Sequence, residues 1–210
     1  MAGAHRSGLL RSRVRHLHLL KEFWNSAAMK RISLAIAFAL YATSASSYVL
    51  GGQIEQQTGS GVFEKLETDE PFSVGADNFD SCNLFAFDED QNILLVEPIR
   101  VDIGGVKGFI RAGEVVASHY VFFDSIDGYH SGYVDFDAPI LGVAAYQGTM
   151  GATDFLANTD VNYISTNLRG LERGDYVWID PEDPFRLWVS WAGSSPGDYI
   201  RVFTSRSPGV

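Results

Sequence analysis

Cys82 is the only cysteine in this 210-residue chain, so no intramolecular disulfide and no cysteine-built zinc cage can form. Nothing beside it in sequence would lower its pKa, and Cys82 reads as a small apolar packing residue rather than a nucleophile. A membrane-spanning run is also lacking: the apolar segment from Ile32 to Leu40 falls short of the ~18 residues that suggest a span. Positive charge is scarce outside the N-terminus. Residues 1–47 hold Arg6, Arg11, Arg13, Arg15, Lys21, Lys30 and Arg31 against Glu22, which takes the chain's 16 basic and 26 acidic residues to 9 and 25 beyond that point. A surface this acidic repels nucleic acid and anionic lipid, so neither is an expected partner.

What is present begins with MKRISLAIAFALYATSASSYV from Met29. A basic start, a short apolar core and small residues around Ala42, Ala45 and Ser47 make the three-part layout of a secretory signal, with cleavage after Ala45 or Ser47. The organisation expected is an upstream arm over 1–28 that precedes a true start at Met29, and a signal peptide over 29–47. A flexible lead-in over 48–62, built on GGQIEQQTGSG, then opens into one domain over 63–210. The expected location is secreted or extracytoplasmic, with no membrane span in the mature chain. A disulfide-free secreted domain depends on its core, and about 160 residues suffice, since a domain of that size buries roughly 70% of its unfolded surface.

From Phe63 onward, short runs rich in Val, Ile, Phe, Tyr and Trp alternate with Gly, Asp, Pro, Asn and Ser clusters. That texture predicts an all-β, jelly-roll-like β-sandwich with one short helix at about 149–158. Strands are expected over 84–87, 93–101, 114–123, 132–136, 140–146, 176–179, 186–191 and 199–204. Alternation turns Leu187 and Val189 away from Trp188, while the apolar run Val115 to Phe123 suits a central strand covered on both faces.

Several motifs invite chemistry. Gly193 to Gly197 spells G-x-S-x-G, yet a nucleophile elbow needs a following helix and a later histidine. Here Pro196-Gly197 reads as a tight turn before a last strand, and the mature histidines, His119 and His130, both lie upstream. His119, in an apolar strand, reads as a hydrogen-bonded structural residue, and His130 as part of a hairpin turn. In FDEDQN, Asp88, Asp90 and Asn92 have the spacing that opens a helix-loop-helix calcium loop. Glycine is missing at Ile93 and the closing glutamate at Ile99, so these are calcium candidates of incomplete pattern, and calcium is the one cofactor the sequence suggests. Asp124 with Asp127, and Asp135 with Asp137, are the acidic pairs that a glycan hydrolase or lyase would need to face across a cleft. Tyr129, Tyr133, Trp188 and Trp191 are the aromatics that could form a sugar-stacking platform.

Five segments in order, LFAFDEDQN (84–92), ASHYVFFD (117–124), GYVDFDAPILGV (132–143), LRGLERGD (168–175) and SSPGDYIRVFT (194–204), together resemble a group of secreted bacterial proteins. These are the mostly uncharacterised proteins that carry PEP-CTERM sorting tails handled by exosortase. The resemblance implies a surface-exported or matrix-associated β-rich domain, with no assigned catalytic residues to carry over. The family's tail would begin soon after the final strand. Where it would start, this sequence reads SRSPGV, as in a truncated or a released member. The expectation is a non-enzymatic β-sandwich of the bacterial cell surface or exopolysaccharide matrix, the alternative a calcium-stabilised carbohydrate-binding module with extracellular polysaccharide as partner.

Overall fold

The computed structural model describes residues 47–125, 127–193 and 196–206, all within one compact unit, Ser44–Val210. Among them the strands run in chain order as β1 (Val49–Thr58), β2 (Phe63–Lys65), β3 (Ser73–Val74), β4 (Leu84–Asp88) and β5 (Ile93–Leu94). They continue as β6 (Ile99–Arg100), β7 (Ile103–Gly104), β8 (Phe109–Ile110), β9 (Val115–Phe123) and β10 (Tyr129–Phe136). The last five are β11 (Ile140–Ala144), β12 (Asn162–Tyr163), β13 (Tyr176–Ile179), β14 (Arg186–Ala192) and β15 (Asp198–Ser205). A helix, α1 (Gln147–Ala152), and 3₁₀ turns at Asp154–Leu156 and Thr166–Leu168 lie between β11 and β13.

Two sheets form the sandwich expected from the sequence. The outer sheet has the order β1-β10-β14-β13, and the inner sheet β2-β4-β9-β15-β11-β7, with β5 beside β9. The chain alternates between them from β9 to β10 to β11, and β15 returns to lie between β9 and β11. That long-range insertion is of the kind Greek-key and jelly-roll sandwiches use.

Strand parity decides what each sheet buries. In β14 the pattern puts Leu187, Val189 and Trp191 inside and Arg186, Trp188 and Ser190 half-exposed. The inward set packs with Val134 and Phe136 of β10 and with Val121, Phe123, Ile200 and Val202 of the inner sheet. The opposite face of the inner sheet is also covered. Phe85, Phe87, Tyr120, Phe122, Tyr199 and Phe203 form a second core with Leu95, Ile99, Val101, Met150 and Leu156 from the loops and helix. This explains the near-continuous apolar run in β9, eight of whose nine residues are buried.

In two places the strands differ from those expected. Within the lead-in over 48–62, Val49–Thr58 forms the edge strand β1, paired with β10 from Val49↔Phe136 to Thr58↔Tyr129. An edge strand with one dry face needs only a few apolar residues, here Val49 and Ile54, so its Gly/Gln composition gave no strand signal. Gly52 and Gly132 also let the two backbones approach; a Cβ on Gly52 would sit 2.6 Å from the Tyr133 carbonyl. The run Ile93 to Val101 splits into β5 and β6, because Pro98 cannot donate to a ladder. The one short helix expected at about 149–158 is present as Gln147–Ala152, its first turn held by Thr149, whose hydroxyl accepts from the Tyr146 N–H and lies against the Tyr146 carbonyl and the Asp102 carboxylate.

One buried ion network ties the covering layer to the inner sheet. Arg201 in β15 and Glu89, just after β4, are fully enclosed and form a bidentate pair at 2.6 and 2.9 Å. Ser118 and Tyr163 each donate to Glu89 at 2.6 Å. Arg201 also donates to the Met150 carbonyl, Thr153 Oγ1 and Asp154, and Asp154 takes a second bidentate pair from Arg169. Removing one partner of such a pair strands a buried charge, which costs about 3–5 kcal/mol. Arg201→Met is therefore expected to lower the unfolding free energy by about that much, read as a drop in the urea midpoint; a change under 1 kcal/mol (about the size of a surface pair) would mean the network is solvated.

Candidate functional site

The outer face of the outer sheet turns away from both cores and carries an aromatic row. Antiparallel registers place Gln53 opposite Tyr133, Tyr133 opposite Trp188, and Trp188 opposite Trp178. One residue from each of β1, β10, β14 and β13 thus lines up across the sheet at the strand spacing of about 4.8 Å. Beside this row lies a second, Gln56, Ser131, Ser190 and Tyr176. Trp178 is 39% exposed and Tyr176 65%, large values for aromatics held in a sheet.

The rings are held in place. Trp178 and Trp188 are near-parallel, 7° apart with centroids at 6.0 Å, and Tyr133 meets Trp188 edge-on at 5.2 Å. The Trp188 indole N–H donates to Asp180 at 2.8 Å, which holds that exposed carboxyl below its ordinary range. The Arg186 guanidinium lies 3.8 Å from the Tyr133 centroid and is clamped by Asp135 at 2.7 and 2.9 Å. Gln53 accepts from the Tyr133 hydroxyl at 3.2 Å. The result is a pre-oriented apolar strip bordered by hydrogen-bonding groups, with little rotamer entropy left to lose on binding.

Of the four aromatics nominated from sequence, Tyr129, Tyr133 and Trp188 belong to this face. Trp191 does not. It is 0% exposed, packed between the sheets, because it shares parity with Leu187 and Val189. Trp178 and Tyr176 were not nominated, although the Tyr-Val-Trp-Ile alternation of β13 carries the signal for both.

FDEDQN does not present three ligands to one point. Burial would raise the Asp88 carboxyl, but His119 (2.7 Å), the Val49 N–H (2.8 Å) and Lys65 (3.0 Å) outweigh it and hold it below the usual carboxylate range. Asp90 is raised, by burial and then by the charge of Glu89. Asn92 takes the left-handed conformation at φ 58°, and its buried Oδ1 has no partner. Among the described residues no group of three or more His, Cys, Asp or Glu is placed to hold a metal.

Asp88 also ends a chain with the order of a catalytic relay: Thr204 Oγ1 lies 2.9 Å from His119 Nε2, and His119 Nδ1 lies 2.7 Å from Asp88. Its chemistry is closed to substrate, because Thr204, His119 and Ser47 are all fully buried and Ser47 caps Thr204 at 2.8 Å. His119 is thus the hydrogen-bonded structural residue the sequence suggested. Three of the four acids in the two pairs are likewise engaged, Asp127 being exposed. Asp124 accepts from the Asp77, Asn78 and Phe79 N–H groups and from Tyr199, Asp135 holds Arg186, and Asp137 accepts from Ser47 and the Tyr48 N–H. Ser195 lies outside the described residues; Gly197, two positions on, has φ 84°, and strand β15 follows rather than a helix. Cys82 is half-buried, its sulfur 3.7 Å from the Ser125 hydroxyl.

A cleft of about 300 Å³ on the covering layer is lined by Leu94, Val96, Pro98 and Phe155, with Glu97 and Arg100 at its polar edge. It brings no nucleophile or acid pair together. Among the described residues no helix is long and apolar enough to cross a membrane. Against protein-family models, curated proteins and solved structures, the chain finds no match.

His130 is not in a turn but inside β10, 1% exposed, its ring tilted against Phe123 with centroids 3.9 Å apart and both ring nitrogens unpartnered. Burial pushes its pKa down to about 4, from 6.5. The unfolded chain therefore takes up this proton below pH 6.5 while the folded protein resists until about 4, so acid erodes stability across that window. Relative to His130→Leu, the wild type is expected to lose about 3 kcal/mol between pH 7 and pH 4, measured as the difference between paired urea titrations; parallel curves would show a solvated ring.

Proposed function

We propose that this protein is a non-enzymatic, extracytoplasmic β-sandwich that holds extended polysaccharide on the outer face of its four-stranded sheet. The observation that carries the reading is the row Gln53–Tyr133–Trp188–Trp178, solvent-facing and fixed in orientation. Pyranose rings present C–H faces that stack on aromatic rings and hydroxyl rims that bond to flanking polar groups. Asp135, Arg186, Gln53, Ser131 and Ser190 supply such groups beside the row. An exposed aromatic strip without a binding role would be a solubility liability. The acidic balance of the chain disfavours a nucleic-acid partner for the same rings. The basic-apolar-small layout after Met29 and the likeness to exosortase-sorted proteins support placement outside the cytoplasm, at a cell surface or in its matrix.

The test is retention of the purified protein on a panel of bacterial and algal polysaccharides. Trp188→Ala and Trp178→Ala are each expected to weaken retention about tenfold or more while leaving the thermal midpoint within a few degrees. Trp191→Ala is expected to cost about 3–5 kcal/mol of stability, and to leave affinity intact in whatever fraction folds. Full retention by both surface variants, or none by the wild type, would remove the reading.

A further inference from the structure

A second feature lies at one end of the space between the sheets, away from the aromatic row's solvent face. Asp198 opens β15 with the inward parity of Ile200 and Val202, and is 2% exposed. Its Oδ1 has no hydrogen-bond partner. Its carboxyl faces that of Asp175 within hydrogen-bonding range, and both accept from one donor, the Glu172 N–H, which lies 3.0 Å from Asp175 Oδ2. Asp175 Oδ1 takes the Ala192 N–H at 3.0 Å. The Glu172 side chain adds a third negative charge to the same field.

Two carboxylates brought together repel, the more so with Asp198 enclosed while Asp175 is half-buried, and a single shared N–H does not neutralise them. A buried acceptor left without a donor is costly unless something else fills that role. The charged groups that act most on Asp198 are Asp175 and Glu172, both acidic. We propose that Asp175 and Asp198 together bind a divalent cation of the calcium type, which ties the start of β13 to the start of β15. Hard cations take six to eight oxygens, so backbone carbonyls and water would complete the shell. The donors brought together here are carboxylate oxygens, a set that suits calcium rather than zinc.

The site differs from the FDEDQN candidates and does not depend on the polysaccharide reading. Its place explains why it matters to the fold: β13 is a four-residue edge strand, and Asp175 directly precedes Tyr176. A bound ion would brace that edge from inside.

The experiment is calcium titration of the full chain after chelator treatment, by calorimetry, with thermal unfolding recorded in calcium and in chelator. One-to-one binding is expected, with a midpoint several degrees higher in calcium. Asp198→Asn and Asp175→Asn should each abolish both signals. Asp198→Asn fills the same space without the charge, so it should also match or exceed the wild type's midpoint in chelator. Asp90→Asn should keep the calcium response. Absence of binding at millimolar calcium, a response that survives in both carboxamide variants, or one lost in Asp90→Asn instead, would overturn the assignment.

Discussion

The bidentate pair of Arg201 with Glu89 is the interaction on which the layered arrangement depends. The inner sheet is covered on both faces, but only one cover is a second sheet. The other is assembled from short strands, a six-residue helix and 3₁₀ turns, none of which has the length to hold itself in place. Arg201 stands in the central strand and reaches the Met150 carbonyl, Thr153 and Asp154 on that layer while gripping Glu89. Its Nε and Nη2 grip Glu89 while Nη1 reaches the segment Met150–Asp154, so one planar guanidinium ties two stretches of chain together. Burial in this case organises rather than simply stabilises, since the desolvation cost of the ions offsets much of their attraction.

The sheets were legible wherever both faces of a strand carried information. Leu84 to Phe87, Tyr176 to Ile179 and the run in β9 were all within a residue or two of their final bounds, because burial demands apolar residues at fixed parity. β1 was not legible: an edge strand facing water on one side is held mainly by its backbone pairing to β10, and backbone pairing leaves no mark on side-chain composition. The split of Ile93 to Val101 was in principle readable from Pro98. The network around Glu89 was not, since it joins residues as far apart as Glu89 and Arg201 that no spacing rule connects.

The surface site was half legible, for a related reason. A single strand shows which residues share a face, but the aromatic row runs across four strands, and its existence depends on register. Tyr133 and Trp188 were found as individual exposed aromatics; their alignment with Trp178 came only from pairing. Trp191 is the reverse case: its parity with Leu187 and Val189, legible in the strand, places it inside whatever its aromatic character suggests. Catalytic look-alikes were common in the sequence, and the structure shows what most of those polar groups do. Asp88, Asp124, Asp135 and Asp137 are spent on backbone N–H groups, a histidine and an arginine, the ordinary fate of acids near strand ends.

The edges of the outer sheet bear on how the molecule behaves at high concentration. β1 pairs on one side only, and its ladder shifts register between Val49 and Gly51 and again between Ile54 and Gln56. Such bulges twist an edge so that a second copy cannot zip along it in one continuous register. The opposite edge, β13, is only four residues long. A sheet with both margins blunted in this way resists growing into ribbons, so many copies packed side by side would each stay a separate particle.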